Sequence, residues 1–174
     1  MREEAGKEEW KYHIVPVVNY AKKLAKLLKV DEEITEIAAL LHDIGRLKFG
    51  SRNHHITGMF EAEKILRNYK YPQKIIDEVK HCIKSHRGSK NIKPKTTIAK
   101  IIANADAMAH FDVLPILFYS HYKKGSFEEV FKQIEEKIER EWNKKITLPE
   151  AKKMLQEKYK AIKLILNSNK RYIE

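Results

Sequence analysis

Apolar residues recur at three- and four-residue intervals along almost the whole chain, the period of amphipathic α-helices. Residues 8–29 set His13, Val17, Tyr20, Ala21, Leu24 and Leu28 on one helical face. Asp31 suits the N-cap of a second helix running to about Asp43, with Ile34, Ile37, Ala38 and Leu41 inward. Gly45 and Gly50 mark a loop. A third helix is predicted over 53–69, with Met59, Ala62, Ile65 and Leu66 as its core face. Pro72 fits the first turn of a fourth helix that ends near His86, and Gly88–Pro94 is turn-rich. A fifth helix covers about 96–122 and bends near Pro115. Two long amphipathic stretches, 127–144 and 148–168, meet at Thr147–Pro149. No segment reads as a strand. The pattern predicts an all-α bundle over 8–122 and a C-terminal helical hairpin over 126–174. That hairpin covers either the core or a partner subunit, in which case the chain is a homodimer.

The same pattern is broken at a few positions. In Ile37-Ala38-Ala39-Leu40-Leu41-His42-Asp43-Ile44-Gly45 an imidazole and a carboxylate occupy what should be apolar sites. Asp106 does the same within Ile101-Ile102-Ala103-Asn104-Ala105-Asp106-Ala107-Met108-Ala109, and His13 lies on the apolar face of the first helix. Burying such groups is costly unless they are hydrogen-bonded, charge-paired or bound to a metal. Two imidazoles and two carboxylates form a mixed nitrogen and oxygen donor set suited to divalent Mn, Fe, Co, Ni or Zn, with Mg acceptable. Adjacent helical residues point about 100° apart. His42 and Asp43 therefore share an ion only if it lies beside the helix and other helices complete the shell.

Composition narrows the partners. The chain has 174 residues, 43% hydrophobic and 34% charged, with a formal net charge of +11, which favours polyanionic partners. Arg46, Lys48 and Arg52 follow the His42-Asp43 pair, and Lys80, Lys84, Arg87, Lys90, Lys93 and Lys95 form an acid-free run. Aromatic residues are not interleaved with these patches, so extended nucleic acid is allowed but not favoured. No apolar run reaches the roughly 18–20 residues of a membrane span, and the N-terminus is charged rather than signal-like. The single cysteine, Cys82, reads as a small core residue and agrees with a reducing compartment. A cytoplasmic protein with no membrane association is expected.

The order His13, His42-Asp43, Asp106, all on helices, resembles the HD superfamily of metal-dependent phosphohydrolases. Ala38-Ala39-Leu40-Leu41-His42-Asp43-Ile44-Gly45 is close to its best-marked signature, and the resemblance spans roughly residues 10–120. It implies an HD-domain helical bundle in which His13, His42, Asp43 and Asp106 hold one metal. His54-His55-Ile56-Thr57-Gly58 is similar to the His-x-x-x-Gly of the dinuclear branches. Cys82-Ile83-Lys84-Ser85-His86-Arg87-Gly88 resembles their Ser-His-His-Gly element, with Arg87 in place of the second His. By that resemblance His54 and His86 bind a second metal and Asp43 bridges the two, with His55 and His81 as competing ligands. His81 is otherwise expected behind the ligands or in the core. His110 shares the face of Asp106, Asp112 is expected exposed or capping, and His121 at the surface.

A divalent ion lowers the pKa of water and polarises a phosphoryl oxygen. His42 and Asp43 are thus expected at the catalytic centre, with one or two ions per chain. Arg46 and Arg87 are the candidates for binding substrate phosphate, since guanidinium pairs with phosphate in a bidentate manner. The expected reaction is hydrolysis of a phosphoester or phosphoanhydride of a phosphorylated small molecule, with a nucleotide first in line. Branches that hydrolyse guanosine tetraphosphate carry an acidic pair after His-Asp; here Arg46-Leu47-Lys48-Phe49 stands there, so that activity is not assigned. Two alternatives remain open on the sequence: a diiron oxygenase of the same fold, and a non-catalytic nucleotide- or RNA-binding module.

Overall fold

The computed structural model describes residues 1–87, 92–122 and 125–170. Those residues form ten α-helices and two single π turns, with no strand among them: α1 Arg2–Glu9, a π turn Trp10–Ile14, α2 Val15–Leu28, α3 Glu32–Leu41, α4 Ile44–Phe49, α5 His54–Asn68, α6 Gln73–Ser85, α7 Thr97–Asp112, α8 Leu114–Tyr122, α9 Phe127–Arg140, a π turn Glu141–Lys145 and α10 Pro149–Asn169. Part of the predicted turn at Gly88–Pro94, including Lys90, and the last four residues of the extension lie outside the described residues.

Helix α7 is the axis of the bundle. Its run of alanine and isoleucine from Ala99 to Phe111 is buried, because small side chains let α2, α3, α6 and α10 pack around one central rod. Thr96 caps its start by accepting from the Ala99 amide (3.1 Å). Asp31 accepts from the Ile34 amide (2.9 Å), the N-cap that the sequence predicts for α3. The bend at Pro115 is a break: α7 ends at Asp112 and α8 leaves at 77°. No single helix among the described residues is long and apolar enough to cross a membrane.

Residues 44–49, expected as a loop, are the short helix α4. Gly45 is there for proximity, not for a turn. A β-carbon on it would fall on the His54 carbonyl oxygen and lie 2.5 Å from the Gly58 amide nitrogen. Gly45 and Gly58 thus let α4 cross α5 backbone to backbone.

The C-terminal segment shares the central core. Val130, Phe131, Ile134, Ile138, Leu155, Ile162 and Leu166 are buried in the cluster that also contains Ile101, Met108 and Phe111. A single buried side chain fastens its turn: Asn104 Oδ1 accepts from the amides of Thr147 (2.8 Å) and Leu148 (3.0 Å), and Asn104 Nδ2 donates to the Lys100 carbonyl (2.8 Å). Ser126 and Glu129 form a capping box at the start of α9.

Candidate metal centre

Five elements converge on one buried cluster. His13 comes from the first π turn, and His42 and Asp43 from the α3–α4 junction. His54 comes from the first residue of α5, His86 from just past α6, and Asp106 from the middle of α7. Asp43 has left helical geometry (φ −108°, ψ 12°). That departure brings it and His42 to one place although they are neighbours in sequence.

Asp43 stands at the centre with its two oxygens facing different ways. Oδ2 lies 3.4 Å from His13 Nε2 and 3.7 Å from His42 Nε2. Oδ1 lies 3.4 Å from His54 Nε2 and 3.6 Å from His86 Nε2. Asp106 Oδ1 joins the first side, 3.5 Å from His13 Nε2 and 4.0 Å from His42 Nε2. The two Nε2 atoms of His13 and His42 are 3.2 Å apart.

Three of the imidazoles are fixed from behind. The Nδ1–H groups of His42, His54 and His86 donate to the carbonyls of Ala39 (2.7 Å), Ser51 (2.9 Å) and Ile83 (2.6 Å). Such bonds set the tautomer and leave the Nε2 lone pair turned inward, the usual support of a metal-binding histidine. The donor atoms of His13, His42 and Asp43 lie within 4.8 Å of one another, as do those of Asp43, His54 and His86, and those of His13, Asp106 and His110.

The charges fit the same reading. Burial opposes ionisation of Asp43 and Asp106, but the surrounding imidazoles hold both carboxylates well below their ordinary range. Burial pushes His42 down to about 4 and also lowers His54. Burial works against protonation of His13 and His86 as well, yet Asp43 and Asp106 overcome it and raise both. Two carboxylates therefore face imidazoles that compete for protons, and divalent cations satisfy the same lone pairs without them. The six residues fit one or two divalent ions, with Asp43 placed between the two sides.

The cluster forms the floor of a cleft of about 550 Å³. Arg46 and Arg87 both line it. Arg46 is the more committed: its Nε donates to Asp43 Oδ2 (2.7 Å) and its Nη2 pairs with Glu9. Tyr12, Ile116 and Leu117 add apolar surface to the cleft lining.

Of the other histidines, His110 meets expectation and His81 does not. His55 is buried on α5 outside the three donor groups. His81 lies neither behind the ligands nor free in the core; its Nε2 accepts from the Lys95 amide (2.9 Å) and ties down the connection before α7. His110 does line the cleft, its ring stacked on His13 with centroids 5.7 Å apart. Burial pushes its pKa down to about 3. Asp112 is exposed, as expected, and at the surface it accepts from Tyr20 Oη (2.8 Å) and pairs with Lys158, joining α2, α7 and α10. His121 donates from Nδ1 to the Leu117 carbonyl (2.8 Å), and Cys82 is fully buried.

Sequence reasoning missed three site residues: Glu9, which holds Arg46, and Lys145 with Glu141. Glu141 is fully buried in the second π turn. Its Oε1 receives Lys145 (3.0 Å) and Lys137 (3.3 Å) and lies 3.7 Å from His110 Nδ1. In sequence these are a glutamate and lysines among many others, and nothing marks them.

Comparison with known proteins places this geometry. Ribonuclease Y of Symbiobacterium thermophilum is 32% identical over 99 residues, covering 56% of this chain and 17% of the relative. Ribonuclease Y of Acholeplasma laidlawii is 31% identical over the same extent. The tRNA (cytidine(56)-2'-O)-methyltransferase of Picrophilus torridus is 28% identical over 114 residues, 58% of this chain and 31% of the relative. The chain thus spans less than a third of the curated relatives it matches. A crystal structure of a predicted HD superfamily hydrolase from an uncultured Thermotogales bacterium superposes with a TM-score of 0.54 at 27% identity, over 72% of this chain and 71% of that one. Residues 10–110, the stretch from the first π turn to His110, match the HD domain. The chain belongs to the HD domain family.

Proposed function

We propose that this protein is a metal-dependent phosphohydrolase that cleaves a phosphoester or phosphoanhydride, with a nucleotide as the substrate class. The observation that carries this reading is Asp43, whose two oxygens each face a separate pair of imidazoles. Its family and its likeness to a predicted HD superfamily hydrolase support the same reaction class.

His13, His42, Asp43 and Asp106 would hold one divalent ion, and His54, His86 and Asp43 a second. When bound, such ions supply the Lewis acidity that lowers the pKa of water and polarises a phosphoryl oxygen. The protein's own groups do the rest. Arg87 offers a guanidinium to the phosphate from the cleft wall. Arg46, clamped between Asp43 and Glu9, fixes the orientation of the Asp43 carboxylate and adds positive charge at the same edge. Asp106 and Asp43, both ionised, keep the imidazoles aimed inward. The apolar surface of Tyr12, Ile116 and Leu117 suits the ring of a nucleoside, and a cleft of this size has room for one.

The printed names of the curated relatives concern RNA, so short oligoribonucleotides belong in the same assay. Protein purified with Mn²⁺ or Fe²⁺ is expected to release product from nucleotides or chromogenic phosphodiesters, and to lose that activity on chelation. Metal bound in stoichiometric amount with no phosphoester cleaved would refute the reading. Oxygen uptake by the iron-loaded protein would point to the oxygenase alternative.

A further inference from the structure

We infer that a second phosphate-binding subsite adjoins the metal centre, so that the substrate carries at least two phosphoryl groups; this rests on the phosphohydrolase reading above. Beside the cleft lies a separate groove of about 320 Å³, lined by Lys93, Lys144 and Lys145 together with Ser85 and His86. His86 and Lys145 belong to both cavities, so the groove begins where the metal centre ends.

The two cavities differ in charge. The cleft sets Asp43, Asp106, Glu8 and Glu9 beside Arg46, Arg87 and Lys145. The groove has no acidic side chain in its lining. Lys93 and Lys144 are exposed, and neither is in an ion pair among the described residues. The unpaired Lys93 and Lys144, with Lys145 sharing the single Glu141 carboxylate with Lys137, leave a net positive potential at this concavity that suits an anion.

The placement of Lys145 is built, not incidental. It sits at the end of a π turn, closed by the Ile146 amide donating to the Glu141 carbonyl (2.9 Å). Single π turns of this kind are rare and recur at functional sites. The fully buried Glu141 carboxylate draws Lys145 inward, to the boundary shared by the cleft and the groove. A linear anion with one phosphoryl group over the His–Asp cluster would lay its next phosphoryl group against Lys145, with Lys93 and Lys144 beyond. Both a phosphoanhydride chain and a 5′-phosphorylated dinucleotide have that chemistry, at different spacings.

Calorimetric titration of the Mn²⁺-loaded protein, with free Mn²⁺ held constant, tests the subsite without relying on turnover. The probes are AMP, α,β-methylene-ADP and a phosphorothioate-linked pApA. One or both two-phosphate probes should bind about tenfold more tightly than AMP, since charge-assisted bonds to phosphate are strong. The double variant Lys93→Gln/Lys144→Gln changes exposed residues only, so it should fold as the parent does. It should erase the preference while leaving AMP affinity within about twofold. A preference for the methylene compound assigns the groove to a phosphoanhydride, and one for pApA assigns it to a phosphodiester. Equal binding of all three probes, or a preference that survives the double variant, overturns the subsite. Metal-dependent phosphoester cleavage would persist in that case, so the two failures are distinguishable.

Discussion

The two π turns of this protein, Trp10–Ile14 and Glu141–Lys145, do the same structural task with opposite visibility. The first is a wide turn between α1 and α2 and the second closes the end of α9, and each turns a side chain towards the cleft: His13 in the first, Lys145 in the second. The first presents an imidazole from a face that otherwise reads apolar, where a polar group is anomalous. The second presents a lysine from a stretch where lysine is unremarkable. A side chain is conspicuous when it contradicts the hydrophobic period, and a long amphipathic cation never does, because its stem packs on apolar surface while its head stays wet. Burial of chemistry is therefore legible in sequence where it defies the pattern and silent where it follows it.

Replacing the residue on the first turn should have the largest effect. His13→Ala removes a donor that faces His42 (3.2 Å), Asp43 (3.4 Å) and Asp106 (3.5 Å) at once. Metal affinity on that side should fall by more than about 100-fold, beyond the usual cost of altering a group behind a ligand. Elemental analysis should show the loss, and the proposed phosphohydrolase activity should fall with it. A variant that keeps its full metal content and activity would break the equivalence of the two turns as site-building devices.

The second turn should instead reveal itself through stability. Glu141→Ala leaves Lys137 and Lys145, with side chains 19% and 20% exposed, without the carboxylate that neutralises them. Breaking a buried ion pair from one side costs about 3–5 kcal/mol. Both lysines retain some access to solvent, which screens them, so a loss of roughly 3 kcal/mol is expected from chemical denaturation. Burial already lowers the pKa of Lys137 despite the attraction of Glu141; without the carboxylate that lowering should deepen. A change below about 0.5 kcal/mol, as for an ordinary surface substitution, would mean that Glu141 does not hold the turn.

Much of the scaffold follows from periodicity. The caps at Asp31 and Thr96, the span of α5 and the break near Pro115 all follow from local rules that tertiary packing reinforces. The His42-Asp43, His13 and Asp106 positions stood out for the same reason, as polar groups on apolar faces. Three features did not. Gly45 reads as a turn because glycine usually serves backbone freedom, whereas here it serves contact with α5, and contact between distant segments has no local signature. His81 escapes local reading because its partner is a backbone amide fourteen residues away. The groove of Lys93, Lys144 and Lys145 joins residues some fifty positions apart, and neither segment looks unusual alone.

Asn104 links the two halves of the comparison and gives the smallest effect. It lies on α7, two residues before Asp106, and accepts the amides of Thr147 and Leu148 directly after the second π turn. Asn104→Ala removes the one acceptor, Oδ1, that serves both amides, and the Nδ2 group that donates to the Lys100 carbonyl and Thr147 Oγ1. Leaving buried donors unsatisfied costs about 1–3 kcal/mol, but Thr147 is exposed and water can replace part of the loss. Alanine also returns about 0.5 kcal/mol of helix propensity at that position in α7. The balance predicts a net loss of about 1–2 kcal/mol, with metal content unchanged because no donor atom of the cluster is touched. If the extension holds Lys145 through this clamp, affinity for the two-phosphate probes should weaken while that for AMP does not. Full retention of both affinities would show that Glu141 alone suffices to aim the lysine, and would confine the contribution of Asn104 to the stability of the turn.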